Sequence, residues 1–128
     1  IEISPIIKAY IEPIAECDTL VLVKSIISTS CVVKTQLTRL VNEINPSRIF
    51  ILSPVMYKDA RKSLEKEFPG PIVSKFYFIT LAVDDRRDPS GNVLPGIGGM
   101  VYPRLGLGDF LEKNNYIPEL VKRRMSSE

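Results

Sequence analysis

Histidine is absent from this 128-residue chain. Its absence removes the commonest general base, any histidine metal ligand and the serine–histidine–aspartate triad. Cysteine is scarce: Cys17 and Cys31 are the only two, and their spacing suits neither a disulfide framework nor a metal site. They read as buried free thiols of a cytoplasmic protein. No apolar run reaches the ~18 residues that cross a bilayer, and no basic segment followed by an apolar one opens the chain as a secretory leader would. A strong charge of one sign is missing too. With 17 basic and 15 acidic residues the net charge is +2, too small to point to nucleic acid. The chain opens on Ile1 rather than Met, which is read as one domain over residues 1–128 cut from the C-terminal portion of a longer polypeptide.

What is present is the composition of an ordinary globular domain. The chain is 45% hydrophobic and 25% charged, enough to bury a core. Alternation over residues 1–4 suggests a short strand, and 5–16 reads as a helix broken by Pro13. Leu20, Val21, Leu22 and Val23 form a continuous apolar run, the pattern of a strand buried on both faces. Val33, Leu37, Leu40, Val41 and Ile44 recur on one helical face, predicting a helix over 32–44 that Asn45 and Pro46 end. A second apolar run predicts a strand over 48–53. Met56, Ala60, Leu64 and Phe68 recur every fourth residue, predicting a second helix that Pro69, Gly70 and Pro71 stop. A third strand is predicted over 75–83, again buried. Strand, helix, strand, helix, strand is the signature of an α/β fold with a parallel sheet flanked by helical crossovers. Beyond it, Pro89 to Asn92 form a turn signal with Val93 and Leu94 as one arm of a hairpin-like loop. Short helices are expected over 108–114 and 118–124. Lys122, Arg123 and Arg124 then suit the last turn, where cations favour a helix C-terminus.

In parallel α/β sheets ligands bind beyond the carboxyl ends of the strands. Those ends are expected at 24–32, 53–57 and 84–104. Ser28, Thr29 and Ser30 enter a helix N-terminus, where hydroxyl and backbone N–H groups can hold a phosphate or simply cap the helix. Gly96, Ile97, Gly98 and Gly99 are no dinucleotide fingerprint, because the third glycine is misplaced and no buried strand precedes them directly. They let backbone approach a flat ligand or make a tight loop. Asp84 to Asp88 mix both signs of charge, as solvated turns with weak local ion pairs do.

The order of these motifs resembles the C-terminal half of uracil phosphoribosyltransferases, a branch of the type I phosphoribosyltransferases, over residues 18–107. The family pattern runs from an apolar strand into Asp-Pro-Met-Leu-Ala-Thr-Gly-Gly-Thr. It continues through helix, strand, helix and strand to an acidic turn and a Val-Pro-Gly-Leu-Gly segment. Val93, Leu94, Pro95, Gly96, Ile97 and Gly98 are similar to that last segment and carry the most specific part of the likeness. By position, Thr29 stands at the first motif's threonine, with Ser28 at the small residue before it. Lys24 and Ser25 stand where acidic residues belong, Ser30 and Cys31 replace the paired glycines, and Val32 replaces the last threonine.

The resemblance implies a phosphoribosyltransferase-like sheet. It implies a phosphate-binding segment at Ser28, Thr29 and Ser30 and a base-binding segment at Leu94, Gly96, Ile97 and Gly98. Lys24 and Arg104 are its possible anion contacts. No catalytic or metal-binding residue is implied. The replaced acids and glycines weaken the grip on a sugar phosphate and a divalent cation, since side chains obstruct convergent N–H groups and a lysine repels magnesium. The reading is therefore a degenerate, non-catalytic domain that binds a nucleobase or nucleotide, or serves regulation or assembly as a homo-oligomer or beside a partner subunit. The alternative is a divergent uracil phosphoribosyltransferase that joins uracil to phosphoribosyl pyrophosphate, releasing pyrophosphate with Mg2+ as cofactor. Neither reading calls for a membrane or nucleic acid.

Overall fold

In a computed structural model, the structure describes residues 10–14, 16–96, 101–109 and 112–126. The strand predicted over 1–4 and half of the helix predicted over 5–16 lie outside them; residues 10–14 and 16 carry no helix. The chain runs through β1 (Thr19–Val23), β2 (Ile26–Ile27), α1 (Cys31–Ile44), β3 (Arg48–Tyr57), α2 (Ala60–Glu65), α3 (Gly70–Val73) and β4 (Phe76–Asp84). A hairpin of β5 (Arg86–Arg87) and β6 (Val93–Leu94) follows, then α4 (Val101–Arg104), a 3-10 turn at Glu112–Tyr116 and α5 (Glu119–Met125). The expected hairpin and parallel α/β sheet are both present.

Strand β3 is the centre of the sheet. It pairs in parallel with β1 and then β2 on one side and with β4 on the other. It also runs past the expected end at Ser53, so residues 53–57 are strand rather than a ligand-binding loop. The surprise is Pro54, which lacks the N–H that a central strand needs. The ladder explains it. Ile49 N–H donates to Lys75 O on the β4 side, and Leu52 O accepts from Lys24 N–H on the β1 side. Further along, Lys58 N–H donates to Asp84 O on the β4 side and Pro54 O accepts the Thr80 hydroxyl, so the alternation slips by one residue at Pro54. There the pairing is broken on both flanks, between Val23 paired with Leu52 and Ile26 paired with Val55, and between Ser53 paired with Thr80 and Val55 paired with Ala82. The missing donor costs no bond.

This longer β3 corrects the second helix. Met56 belongs to the strand and is buried there, and the helix spans only Ala60–Glu65. The four-residue recurrence was a coincidence of two elements feeding one core. Pro69 and Pro71 do not merely stop a helix either. They frame the start of α3, where proline's fixed φ suits the first turn.

The core lies on one face of the sheet. Leu22, Ile49, Ile51 and Phe76 point toward Val33, Leu37 and Val41 of α1 and Ala60 and Leu64 of α2. Leu37 and Val33 are fully buried; α1 then ends on Asn45 in the left-handed conformation (φ 48°), with its N–H bonded to Val41 O. The opposite face is open. In-register pairing sets Val21, Phe50 and Tyr77 in one row and Val23, Leu52 and Ile79 in the next. Leu81 follows on β4, whereas Val83 pairs in register with the core residue Met56. The runs in β1 and β4 were expected to be buried on both sides, yet Val23, Leu81 and Val83 are exposed. Among the described residues, α1 and α2 cover only the core face.

Candidate ligand cleft at the carboxyl end of the sheet

The segment between β2 and α1 is where the first ligand motif was expected. It is shorter than the 24–32 loop inferred from sequence, because Ile26 and Ile27 add a pair of strand residues and α1 begins at Cys31. Ser28, Thr29 and Ser30 remain as the connection. With Lys34, Tyr57, Glu67 and Arg87 they line a cleft of about 440 Å³. Ser30 is the N-cap residue of α1, in the right-handed region (φ −78°), and its side chain makes no capping bond. The first-turn N–H groups of a helix have no intrahelical partners and carry the positive end of the helix dipole. Here no acidic side chain occupies that first turn.

Two cations flank this N-terminus. Lys34 pairs with Glu67, and both ends of the pair are half exposed. The Arg87 guanidinium sits 4.3 Å from the centre of the Tyr57 ring, a cation–π contact that holds a flexible side chain against a flat wall. The hairpin reaches the cleft in a second way, since the Ser28 hydroxyl donates to Gly91 O. The structure thus brings the phosphate-motif residues beside the hairpin that carries the base motif. The residue that sequence reasoning missed is Arg87. It was dismissed with its neighbours as part of a solvated turn, and only the antiparallel pairing of Arg87 with Val93 turns it toward Tyr57.

Asp84 was dismissed with the same turn, and that too needs correction. It is the last residue of β4 and is buried. Its Oδ2 accepts the Gly96 N–H at 3.1 Å, and its backbone O accepts the Lys58 N–H at 2.9 Å. Asp84 is therefore the anchor of the Leu94-Pro95-Gly96 segment, in which the Leu94–Pro95 bond is cis. Ile97, Gly98 and Gly99 lie outside the described residues. The rest of the turn is as expected: Asp85 and Arg86 form an exposed pair at 3.7 Å. Asp88 accepts from the Asn92 amide and backbone N–H at 2.9 Å each, bonds that hold its carboxyl below the usual carboxylate range.

The two expected anion contacts are elsewhere. Lys24 folds back so that Nζ donates to Ile26 O at 2.6 Å, and partial burial pulls its ammonium below its ordinary pKa. Arg104 is exposed on α4 and is no part of the cleft wall. Cys17 and Cys31 are half-buried rather than buried. Of the expected short helices, 118–124 is matched by α5, but 108–114 is displaced to the 3-10 turn at 112–116.

A magnesium ion does not fit the donors present. Among the described residues no three metal-ligating side chains cluster, and the carboxylate lining the cleft, Glu67, is already paired with Lys34. No helix among the described residues is long and apolar enough to cross a membrane.

The class these features define is an α/β protein with a mostly parallel, helix-flanked sheet. No family model matches the chain, and no curated protein matches it. Among solved structures it is similar to one described as "Structure of AQ2163 protein from Aquifex aeolicus". The sequences are 17% identical and the TM-score is 0.60, over 79% of this chain and 46% of that one. At that identity the likeness speaks for the fold alone. This chain spans less than half the length of its structural neighbour.

Proposed function

We propose that this chain is a phosphoribosyltransferase-like binding module that takes the phosphate of a nucleotide and does not transfer phosphoribosyl groups. One observation carries the reading: the uncapped N-terminus of α1 opens into the cleft between Lys34 and Arg87. Helix N–H groups and two cations converge there on a space large enough for a phosphate ester. The resemblance in the Val93–Gly98 stretch supports a nucleobase as the remainder of that ligand, with the hairpin next to the cleft. The donor set supports the loss of transfer chemistry. Stabilising a departing pyrophosphate requires positioned opposite charge, and among the described residues the cleft's carboxylate, Glu67, is taken up by Lys34.

Calorimetry of the full chain with uridine monophosphate, uracil and inorganic phosphate tests this. Uridine monophosphate is expected to bind more tightly than either fragment, and Arg87→Ala to weaken it. Replacing Lys24→Asp, Ser30→Gly and Cys31→Gly together is expected to strengthen binding of phosphoribosyl pyrophosphate in the presence of magnesium. Conversion of uracil and phosphoribosyl pyrophosphate by the unaltered chain at about 1 per second or faster would overturn the reading in favour of a divergent transferase.

A further inference from the structure

A carboxylate is out of place in a cleft that takes phosphate, since like charges repel at close range. Yet Glu67 lines this one, and the core fixes where it stands. Its backbone N–H donates to Leu64 O at 3.0 Å, and Leu64 is buried. Its partner Lys34 lies in the first turn of α1, next to buried Val33, with its N–H on Ser30 O at 2.7 Å. Ser63 of α2, four residues before Glu67, lines the same cleft. The ion pair thus joins two elements anchored in one core. Its side chains are still 32% and 39% exposed, so a ligand in the cleft can reach both.

The cleft therefore has two unlike walls. Arg87, held by the neutral Tyr57 ring, brings positive charge to the α1 N-terminus. On the other wall the charge of Lys34 is balanced by Glu67. The bond between them engages Glu67 through Oε2. An ionised carboxylate accepts at both oxygens, and an ammonium donates three protons. Acceptor and donor capacity therefore remain together there, and Ser63 adds a hydroxyl that does both. A second anionic group gains little from a balanced pair. A neutral hydroxyl group, which donates and accepts at one atom, is its complement.

We propose that Glu67, with Lys34 and Ser63, is the hydroxyl-recognising wall of the cleft. The ligand class is then a phosphate ester whose carbon skeleton carries free hydroxyl groups, as a nucleotide's sugar does, rather than the bare phosphate ion. This inference rests on the cleft being a phosphate site, and it assigns the residues that select among phosphates. A site built to bond a hydroxyl discriminates against an analogue that lacks it, because its own polar groups are then left without a partner.

Calorimetry of the full chain compares uridine monophosphate with dideoxyuridine monophosphate, which keeps base and phosphate and lacks both sugar hydroxyls. The parent is expected to prefer uridine monophosphate by about tenfold, the loss of a charge-assisted hydrogen bond at a half-exposed group. The readout is the ratio of the two affinities, because removing the charge of Glu67 favours every phosphate alike. Glu67→Gln is expected to shrink that ratio to about twofold, and Ser63→Ala to shrink it by a smaller factor. A parent that binds both nucleotides equally, or a preference that survives Glu67→Gln, would overturn this assignment while leaving the phosphate site standing. So would a Glu67→Gln variant with a lowered urea midpoint and both nucleotides weakened in proportion, the mark of a pair that only ties α1 to α2. A parent that binds neither nucleotide nor inorganic phosphate would overturn the phosphate site and this assignment together.

Discussion

Replacing Gly96 with alanine tests how the hairpin segment is held. The φ of Gly96 lies outside the left-handed region, so its backbone would accept any residue. The obstacle is local. A Cβ built on Gly96 falls well inside 3.0 Å of Asp84 Oδ2 and 3.3 Å from Asp84 Cγ, a distance at which something must move. Asp84 is only 6% exposed, so its short side chain has little room to swing and no bulk water to greet it. Either the carboxylate gives up the Gly96 N–H, losing a charge-assisted bond, or the loop is pushed away from β4 with the same loss. A bond of that kind contributes about 1.5–3 kcal/mol, and the orphaned buried carboxylate adds its own desolvation. Gly96→Ala should therefore cost about 2–3 kcal/mol, read as a lowered urea midpoint at unchanged slope. In an Asp84→Ala background the collision is gone. There the same change should cost well under 1 kcal/mol, because alanine also restricts the unfolded chain. The difference between the two backgrounds is the coupling. An equal cost in both, or no cost in the native background, would refute the assignment of Asp84 as the anchor.

Three further outcomes follow from the same geometry. Glu67→Gln frees Lys34 from its ion pair and removes the negative charge lining the cleft; inorganic phosphate is expected to bind several-fold more tightly by calorimetry, up to about fivefold for a half-exposed pair, and unchanged affinity would count against the cleft as an anion site. Lys24→Met is expected to stabilise the fold at neutral pH, because burial disfavours the charged ammonium. Between the lowered folded pKa and the ordinary 10.5 the unfolded chain binds more protons, so the parent gains stability as pH rises through that window and the advantage of methionine shrinks; urea midpoints at pH 7 and pH 10.5 measure it. Asn92→Ala removes the main donor to Asp88 and is expected to raise that carboxyl toward 3.8, followed by carbon NMR titration. The parent's stabilisation by Asp88 is present above pH 3.8 and fades as pH falls through its lowered folded value.

The three main strands and α1 were legible in the sequence because each is a continuous or periodic apolar signal that local spacing alone can encode. The end of β3 was not legible. Proline reads as a stop, and whether Pro54 stops a strand depends on breaks in the pairing on both flanks, which are properties of the neighbours. Met56 misled for a related reason: one residue can keep a helical interval with Ala60 and Leu64 while standing in a strand, since both elements face the same core. In the candidate site, Ser28, Thr29 and Ser30 were found from their place between a strand and a helix. Arg87 was not found, because its contact with Tyr57, thirty residues earlier, depends on how the hairpin packs against β3. Lys24 was assigned an outward role from its position in a motif, but the two-residue strand that follows offers its Nζ the Ile26 carbonyl first.

Asp84 and the open sheet face share a cause that joins the fold to function. A parallel sheet has a chemically distinct carboxyl edge and two apolar faces. At the edge, the buried Asp84 carboxylate accepts a backbone amide, which fixes the hairpin against the cleft. On the faces, α1 and α2 cover one, and among the described residues the other leaves Val21, Val23, Tyr77, Ile79 and Leu81 exposed. A catalyst of phosphoribosyl transfer needs charge arranged around a departing pyrophosphate; a binding or assembly module needs a rigid pocket and a contact surface. The binding module proposed above asks only for the pocket, and nucleotide affinity reports it. A chain that bound neither nucleotide nor inorganic phosphate would leave the cleft a structural seam, with Asp84 holding the hairpin to β4 all the same.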